Sequence, residues 1–259
     1  MKLTVLGTGT SFGVPQIGCA CAVCRSTDPR DRRSRSGALV ESPGGTRILI
    51  DTPPELRLQL LAAGVSAIDA LFYTHDHADH THGLDDIRAL TVQRTAALPI
   101  YGPAEALASL ARKFPYVFDE AIRPVPGTTK PEGRASPIEP RDRTAVGDVE
   151  VEAIEVPHGP GRAFGYRVGP IGYITDAKTV PPAALAQLRG VQVFVINALR
   201  SAPHPTHLSV HEAVAVARTV GAPRTYLTHL THEFSHAALA AQLPAGIEPA
   251  YDGLTVSVV

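Results

Sequence analysis

Short apolar runs broken by glycine and proline recur along the whole chain, at "LTVLGT", "TRILIDT", "DALFYTH", "LPIYG", "VEVEAIEV", "GYITD", "VQVFVIN", "RTYLTHL" and "LTVSVV". Runs of this length bounded by turn formers predict β-strands. Between several of them apolar residues recur at helical spacing, over 54–63, 103–113, 181–188 and 209–220. The last of these opens with "SVHE", a capping box with Ser209 as the cap and Glu212 three residues on. Strands dominate, helices interleave in both halves, and no low-complexity linker separates the halves. The expectation is one mixed α/β (α+β) domain spanning 1–259. Segment 114–140, "FPYVFDEAIRPVPGTTKPEGRASPIEP", stands apart with six prolines and little periodicity. It reads as a long surface loop or as a lid whose aromatic start could close over a substrate.

Composition narrows the class. The chain has 259 residues, and its 44% hydrophobic content is ample for a buried core. Lys and Arg number 24 against 25 Asp and Glu, a formal charge of -1. That balance gives no global attraction to nucleic acid or to an anionic membrane, so an anionic substrate must be held locally. The opening "MKLTVLGTGTSFG" breaks into glycines after a strand-length run. Neither a signal peptide nor a membrane span is expected, and the cytoplasm is the expected location. The three cysteines, Cys19, Cys21 and Cys24, fall within six residues. In a reducing compartment that spacing favours a metal site over disulfides, with a cluster of plain small buried residues as the alternative. A closed structural zinc site has four ligands, so a fourth must come from elsewhere in the chain.

The chemistry concentrates in "YTHDHADHTHG", which follows the strand "DALFY" and sets His75, His77, Asp79 and His80 in the pattern H-x-H-x-D-H. A tight turn after a strand lets His75 and His77 face one metal while Asp79 and His80 face another. Neutral imidazoles with a carboxylate suit zinc, manganese or iron and leave room for water. Two metals need further ligands, and the later chain offers three at strand ends: His158 in "VEAIEVPHGPG", Asp176 closing "GYITD", and His229 in "RTYLTHL".

This order of motifs resembles the metallo-β-lactamase superfamily, from the opening strand to "YDGLTVSVV". The resemblance implies an αββα four-layer sandwich with both metals at one edge. It implies that His75, His77 and His158 hold one metal, that Asp79, His80 and His229 hold the other, and that Asp176 bridges them. A water between two such metals is deprotonated near neutral pH and poised for in-line attack, a geometry suited to phosphate. The run "GTGTSFGVPQIGCACAVC" is similar to one branch, the phosphodiesterase of the carbon-phosphorus lyase pathway and its relatives. There, three cysteines at C-x-C-x-x-C join a late histidine in a structural zinc site. Carried over by position, His232 in "LTHLTHEFSH" completes that site; the alternative is a polar residue in the first turn of a following helix.

The resemblance further implies hydrolysis of 5-phospho-α-D-ribosyl 1,2-cyclic phosphate or a related cyclic phosphodiester, with two catalytic Mn or Zn ions and one structural Zn. Asp79 and His207 are the catalytic candidates: His207, in "HPTHLSVHEA", matches a histidine that could contact the phosphate or protonate the leaving oxygen, or else lies on the surface. His204 and His211 rank below it. Arg30, Arg32, Arg33 and Arg35 in "DPRDRRSRSG" read as a solvated basic face or subunit contact ahead of a phosphate site. Asp85, Asp86 and Arg88 open a helix and read as structural. A small-molecule substrate, no nucleic acid, no membrane and a homodimer complete the expectation. The competing readings are a tRNA-processing endonuclease, a non-catalytic carrier resembling the quinone-cofactor biosynthesis relative, and acyl hydrolysis of a lactone or thioester.

Overall fold

The computed structural model describes every residue except Gln93 and Val259. The strands are β1 (Lys2–Gly7), β2 (Gly37–Glu41), β3 (Arg47–Ile50), β4 (Ala70–Phe72), β5 (Leu98–Gly102), β6 (Gly133–Pro137), β7 (Arg143–Val146), β8 (Val149–His158), β9 (Gly161–Val168), β10 (Ile171–Ile174), β11 (Val193–Asn197), β12 (Arg224–Thr228), β13 (Ile247–Pro249) and β14 (Leu254–Ser257). The helices are α1 (Leu56–Ala62), α2 (Ala78–Thr81), α3 (Arg88–Thr91), α4 (Ala104–Lys113), α5 (Pro115–Phe118), α6 (Pro182–Gln187), α7 (Val210–Val220) and α8 (His236–Ala240). Two seven-stranded sheets result, ordered β14-β1-β2-β3-β4-β5-β6 and β13-β12-β11-β10-β9-β8-β7.

The strand sequences explain the layering. Successive side chains of a strand point to opposite faces, so a strand covered on both sides must be apolar throughout. In β3, Ile48 and Ile50 join the core between the sheets, while Leu49 joins the core under α1 and α4. In β11, Val193 and Val195 face the other sheet, while Phe194 and Ile196 pack under α6, α7 and α8. The outcome is the four-layer αββα sandwich. The capping box forms as the sequence predicts: Ser209 Oγ accepts from Glu212 N at 3.3 Å, and Glu212 Oε2 accepts from Ser209 N at 2.7 Å.

Direction of the strands positions everything that follows. The pairs β3·β4 and β4·β5 are parallel in the first sheet, as are β10·β11 and β11·β12 in the second. Strand β8 is antiparallel to β9, which is antiparallel to β10, so β8 and β10 run the same way. The carboxyl ends of β3, β4, β8, β10 and β12 therefore meet at one edge of the sandwich. The sheets are tied there by main chain: Phe164 N donates to Thr74 O and Leu230 N donates to Thr8 O, both at 2.8 Å.

Segment 114–140 is not a continuous loop. It contains the short helix α5 and the strand β6, which pairs in parallel with all five residues of β5. Prolines hid both: Pro115 starts the helix, where a missing N–H costs nothing, and Pro137 closes an edge strand that needs no further donor. Among the described residues no helix is long and apolar enough to cross a membrane.

Ile48 is fully buried between the sheets and Leu58 on α1 is 62% exposed. Ile48→Ala is expected to lower unfolding free energy by about 3 kcal/mol, against less than about 0.5 kcal/mol for Leu58→Ala, by urea denaturation. The Lys178 ammonium, then the Ser209 amide, hold the Glu212 carboxyl down to about 2. Its folded pKa lies below the unfolded value, so the carboxylate stabilises the fold fully above about pH 4.5 and loses that contribution as pH falls toward about 2. The gap in unfolding midpoint between wild type and Glu212→Gln should close over that window.

Candidate metal centres

Five elements deliver the titratable groups to the shared edge. His75 lies just beyond β4, His77 immediately precedes α2, Asp79 and His80 lie on α2, His158 ends β8, Asp176 follows β10, and His229 follows β12. Two threefold groups bring their ligand atoms within 4.8 Å of one another: His75, His77 and His158, and Asp79, His80 and His229. Asp176 lies against both. Its Oδ2 is 3.3 Å from His80 Nε2, and its Oδ1 is 3.2 Å from His229 Nε2 and 3.9 Å from His158 Nε2.

A carboxylate outside the sequence-predicted set fixes how these rings face. Asp51, fully buried just after β3, accepts from Thr74 N and from Thr74 Oγ1, each at 2.8 Å, and from His80 Nδ1 at 2.7 Å. With its hydroxyl proton given to Asp51, Thr74 Oγ1 accepts from His75 Nδ1, 2.9 Å away. His158 Nδ1 donates to Thr206 O at 3.1 Å. Three histidines thus engage their Nδ1 with the protein and turn Nε2 inward, His75 and His80 with no partner there and His158 at 3.4 Å from His77 Nδ1. An outer partner of this kind selects the tautomer a metal requires.

The inward atoms lack protein partners. His75 Nε2, His80 Nε2, Asp176 Oδ2 and both ring nitrogens of His229 are buried and find no hydrogen bond among the described residues. Buried polar atoms are rarely left unpaired, and five at one place call for a ligand. The electrostatics agree. Burial alone would raise the Asp176 carboxyl, but the His229 and His80 rings and the hydrogen bond from His207 hold it well below the carboxylate range. His80 runs the other way: despite burial, Asp176, Asp51 and Asp79 pull its pKa well above the usual histidine value. Three carboxylates around one ring demand a cation, and a metal can replace the proton that supplies it. Nitrogen and carboxylate donors in this mixture suit divalent zinc-like ions.

His207 Nε2 lies 2.9 Å from Asp176 Oδ1, and its Nδ1 meets Thr206 Oγ1 at 2.7 Å. With Ser11, Asp76, Glu105, Arg162 and the hairpin turn at Gly159–Gly161, these groups line an open cavity of about 490 Å³. His204 touches His207 and Thr206; His211 sits exposed on α7, away from the cavity. Asp85 pairs with Arg88 at 2.7 Å and stays outside the site. No residue of 114–140 lines the cavity among the described residues, because α5 and β6 pack that segment beside α4 and β5. The lid reading is corrected accordingly.

A second cluster stands apart. Cys19, Cys21 and Cys24 place their sulfurs 3.3, 3.4 and 3.4 Å from His232 Nδ1. With sulfur about 2.3 Å and nitrogen about 2.0 Å from zinc, a tetrahedron has an S–N edge of roughly 3.5 Å, so the spacing fits that ion. His232 lies in the loop between β12 and α8 and not in a helix, since α8 begins at His236 with Ser235 as its cap. Arg33 holds this loop. It is buried, donates to Thr231 O and, at 2.8 Å, to Phe234 O, and lies 3.7 Å from Asp31, which accepts from His236 N at 2.6 Å. The expectation of a solvated basic run is therefore corrected for Arg33. Arg30 pairs with Asp28 and Arg35 with Glu55. Nothing in "RDRRSRSG" distinguishes Arg33 from its neighbours, whereas Asp51, closing the apolar run "ILID", carries the same signal as Asp176 in "GYITD".

Comparison with known proteins agrees with this architecture. Residues 46–230 match the family described as beta-lactamase superfamily domain. A solved diphosphatase from the PhnP family is 39% identical, with a TM-score of 0.90, over 98% of this chain and 96% of that one. Zinc-bound PqqB from Methylobacterium extorquens shares the fold at 18% identity, with a TM-score of 0.81 over the whole of both chains. An octanoyltransferase of Porphyromonas gingivalis is 37% identical over 98% of this chain but 51% of its own length. Coenzyme PQQ synthesis protein B of Rhodopseudomonas palustris is 31% identical over 65% of this chain and 56% of its own. The chain thus spans about half the length of the curated relatives it matches. It belongs to the beta-lactamase superfamily, in the PhnP-like branch, a fold that implies divalent metals such as zinc.

Arg33→Met removes two charge-assisted hydrogen bonds and leaves Asp31 buried without its cation. The expected loss is about 3 kcal/mol in chemical denaturation, whereas Arg30→Met at the exposed pair should leave the denaturation midpoint unchanged.

Proposed function

We propose that the chain is a dinuclear metal-dependent phosphodiesterase acting on a small cyclic phosphate, with 5-phospho-α-D-ribosyl 1,2-cyclic phosphate as the leading substrate. The observation that carries the reading is the set of inward, unpartnered atoms around Asp176. In this reading His75, His77 and His158 would hold one ion and Asp79, His80 and His229 the other, with Asp176, which lies against both sets, available to either. Cys19, Cys21, Cys24 and His232 hold a structural zinc. The two ions, when bound, supply Lewis-acid polarisation of phosphoryl oxygens and a water of lowered pKa.

The remaining work falls to the chain. Asp51, through Thr74 and directly, holds His75 and His80 in register. His207, whose Nε2 lies on the cavity wall beside Asp176, is the proposed donor of a proton to the departing alkoxide. The cavity volume suits a small molecule. The near-neutral charge disfavours a tRNA substrate. The filled histidine and aspartate set disfavours a non-catalytic carrier. The PhnP-family neighbour is a diphosphatase, which supports attack at phosphorus while widening the bond type to a phosphoanhydride. The octanoyltransferase relative gives acyl hydrolysis a place in the test, although about half of that protein lies outside the match.

The deciding assay loads the protein with zinc or manganese and compares bis-p-nitrophenyl phosphate, the ribosyl cyclic phosphate, a 2′,3′-cyclic nucleotide, a dinucleoside diphosphate, a lactone and an octanoyl thioester. Cleavage at phosphorus is expected; turnover of the lactone or thioester alone would sink the proposal. Metal analysis separates the sites: Asp79→Ala should abolish turnover yet retain about one zinc per chain, whereas Cys21→Ser should lose that zinc and unfold more readily. An Asp79→Ala protein emptied of all metal contradicts the two-site assignment.

A further inference from the structure

Arg162 occupies the wall of the same cavity and has no part in the mechanism above. It stands four residues after His158, in the hairpin where His158 pairs with Gly161 and Pro157 with Arg162. Its Nε and Nη2 donate to the two oxygens of Glu105 at 2.7 and 3.2 Å, and its Nη1 donates to Glu155 Oε2 at 2.6 Å. The guanidinium carbon lies 5.3 Å from the centre of the Phe164 ring. Three of the five guanidinium N–H groups are engaged, which leaves two for another acceptor.

Charge singles this residue out. Among the described residues lining the cavity, Arg162 is the one Lys or Arg, against Asp76, Asp79, Glu105 and Asp176. A substrate bearing a second phosphate brings a further charge of about −2, which those carboxylates repel unless a cation receives it. The carboxylates now holding Arg162 are exposed, Glu105 by 57% and Glu155 by 44%. Ion pairs so open to water are weak and exchangeable, whereas phosphate accepts from guanidinium in a stronger, two-point contact. The Phe164 ring beneath the guanidinium keeps it in place while partners exchange.

We propose that Arg162 anchors a second, non-scissile phosphate of the substrate, and that Glu105 holds the guanidinium at the cavity wall until that phosphate displaces it. This rests on the phosphodiesterase reading and sharpens it, since it selects phosphorylated over unphosphorylated cyclic esters. The test measures kcat/KM for ribose 1,2-cyclic phosphate with and without a 5-phosphate, in the metal-loaded enzyme. Wild type should favour the phosphorylated substrate. Arg162→Gln should cut that preference by about tenfold to a hundredfold, and Arg162→Lys, which keeps the charge without the fork, by less. Glu105→Gln, which removes the competitor, should raise it. Because each preference is a ratio within one variant, partial misfolding does not mimic the effect. An unchanged ratio in Arg162→Gln, or a wild type indifferent to the 5-phosphate, overturns the inference while the phosphodiesterase reading stands. A wild type that cleaves neither substrate overturns both.

Discussion

The structure depends on one electrostatic constraint: seven histidine and aspartate side chains converge at a sandwich edge, five of them nearly or fully buried, with five of their polar atoms turned inward and unpartnered among the described residues. Such an arrangement is unstable for a bare protein, because burial penalises each charge and each unpaired acceptor. A cation between the carboxylates and imidazoles removes both penalties together. The raised His80 and the depressed Asp176 show the same demand from opposite sides, each ring and carboxylate drawing charge from the other.

The backbone carries part of that load. Asp51 and His229 both adopt left-handed conformations, with φ of 62° and 57°. Non-glycine residues avoid this region, and they persist in it where surrounding contacts over-determine them. Asp51 is held by three donors, and His229 lies between β12 and the Leu230 bridge to the first loop. That bridge also links the two clusters: three residues beyond His229 the chain reaches His232, with Arg33 fixing the loop from below. The cysteine cluster therefore acts, in the proposed assignment, as a brace between the first loop and the last strand of the active edge.

Much of this was legible in the chain. Strands covered on both faces show as unbroken apolar runs, and the H-x-H-x-D-H spacing needs only a turn after a strand to converge. The four-layer fold, the capping box and the nearness of His232 to the cysteines follow from such local patterns and family resemblance. What stayed hidden depends on tertiary context. The strand β6 is an edge element that ends on a proline, so periodicity does not reveal it. Arg33 is one of four arginines in six residues, and only the folded loop around it makes it interior. Asp51 acts through Thr74 and His80, partners separated from it by more than twenty residues.

The proposed assignment puts two ions at the histidine edge beside Asp176 and a third among the cysteines. Anomalous diffraction at the zinc absorption edge, from crystals of the zinc-loaded protein, tests it most directly. The account predicts three peaks per chain: two about 3.5 to 4 Å apart on either side of Asp176, and one among Cys19, Cys21, Cys24 and His232. A single peak at the histidine edge, or none among the cysteines, would contradict it.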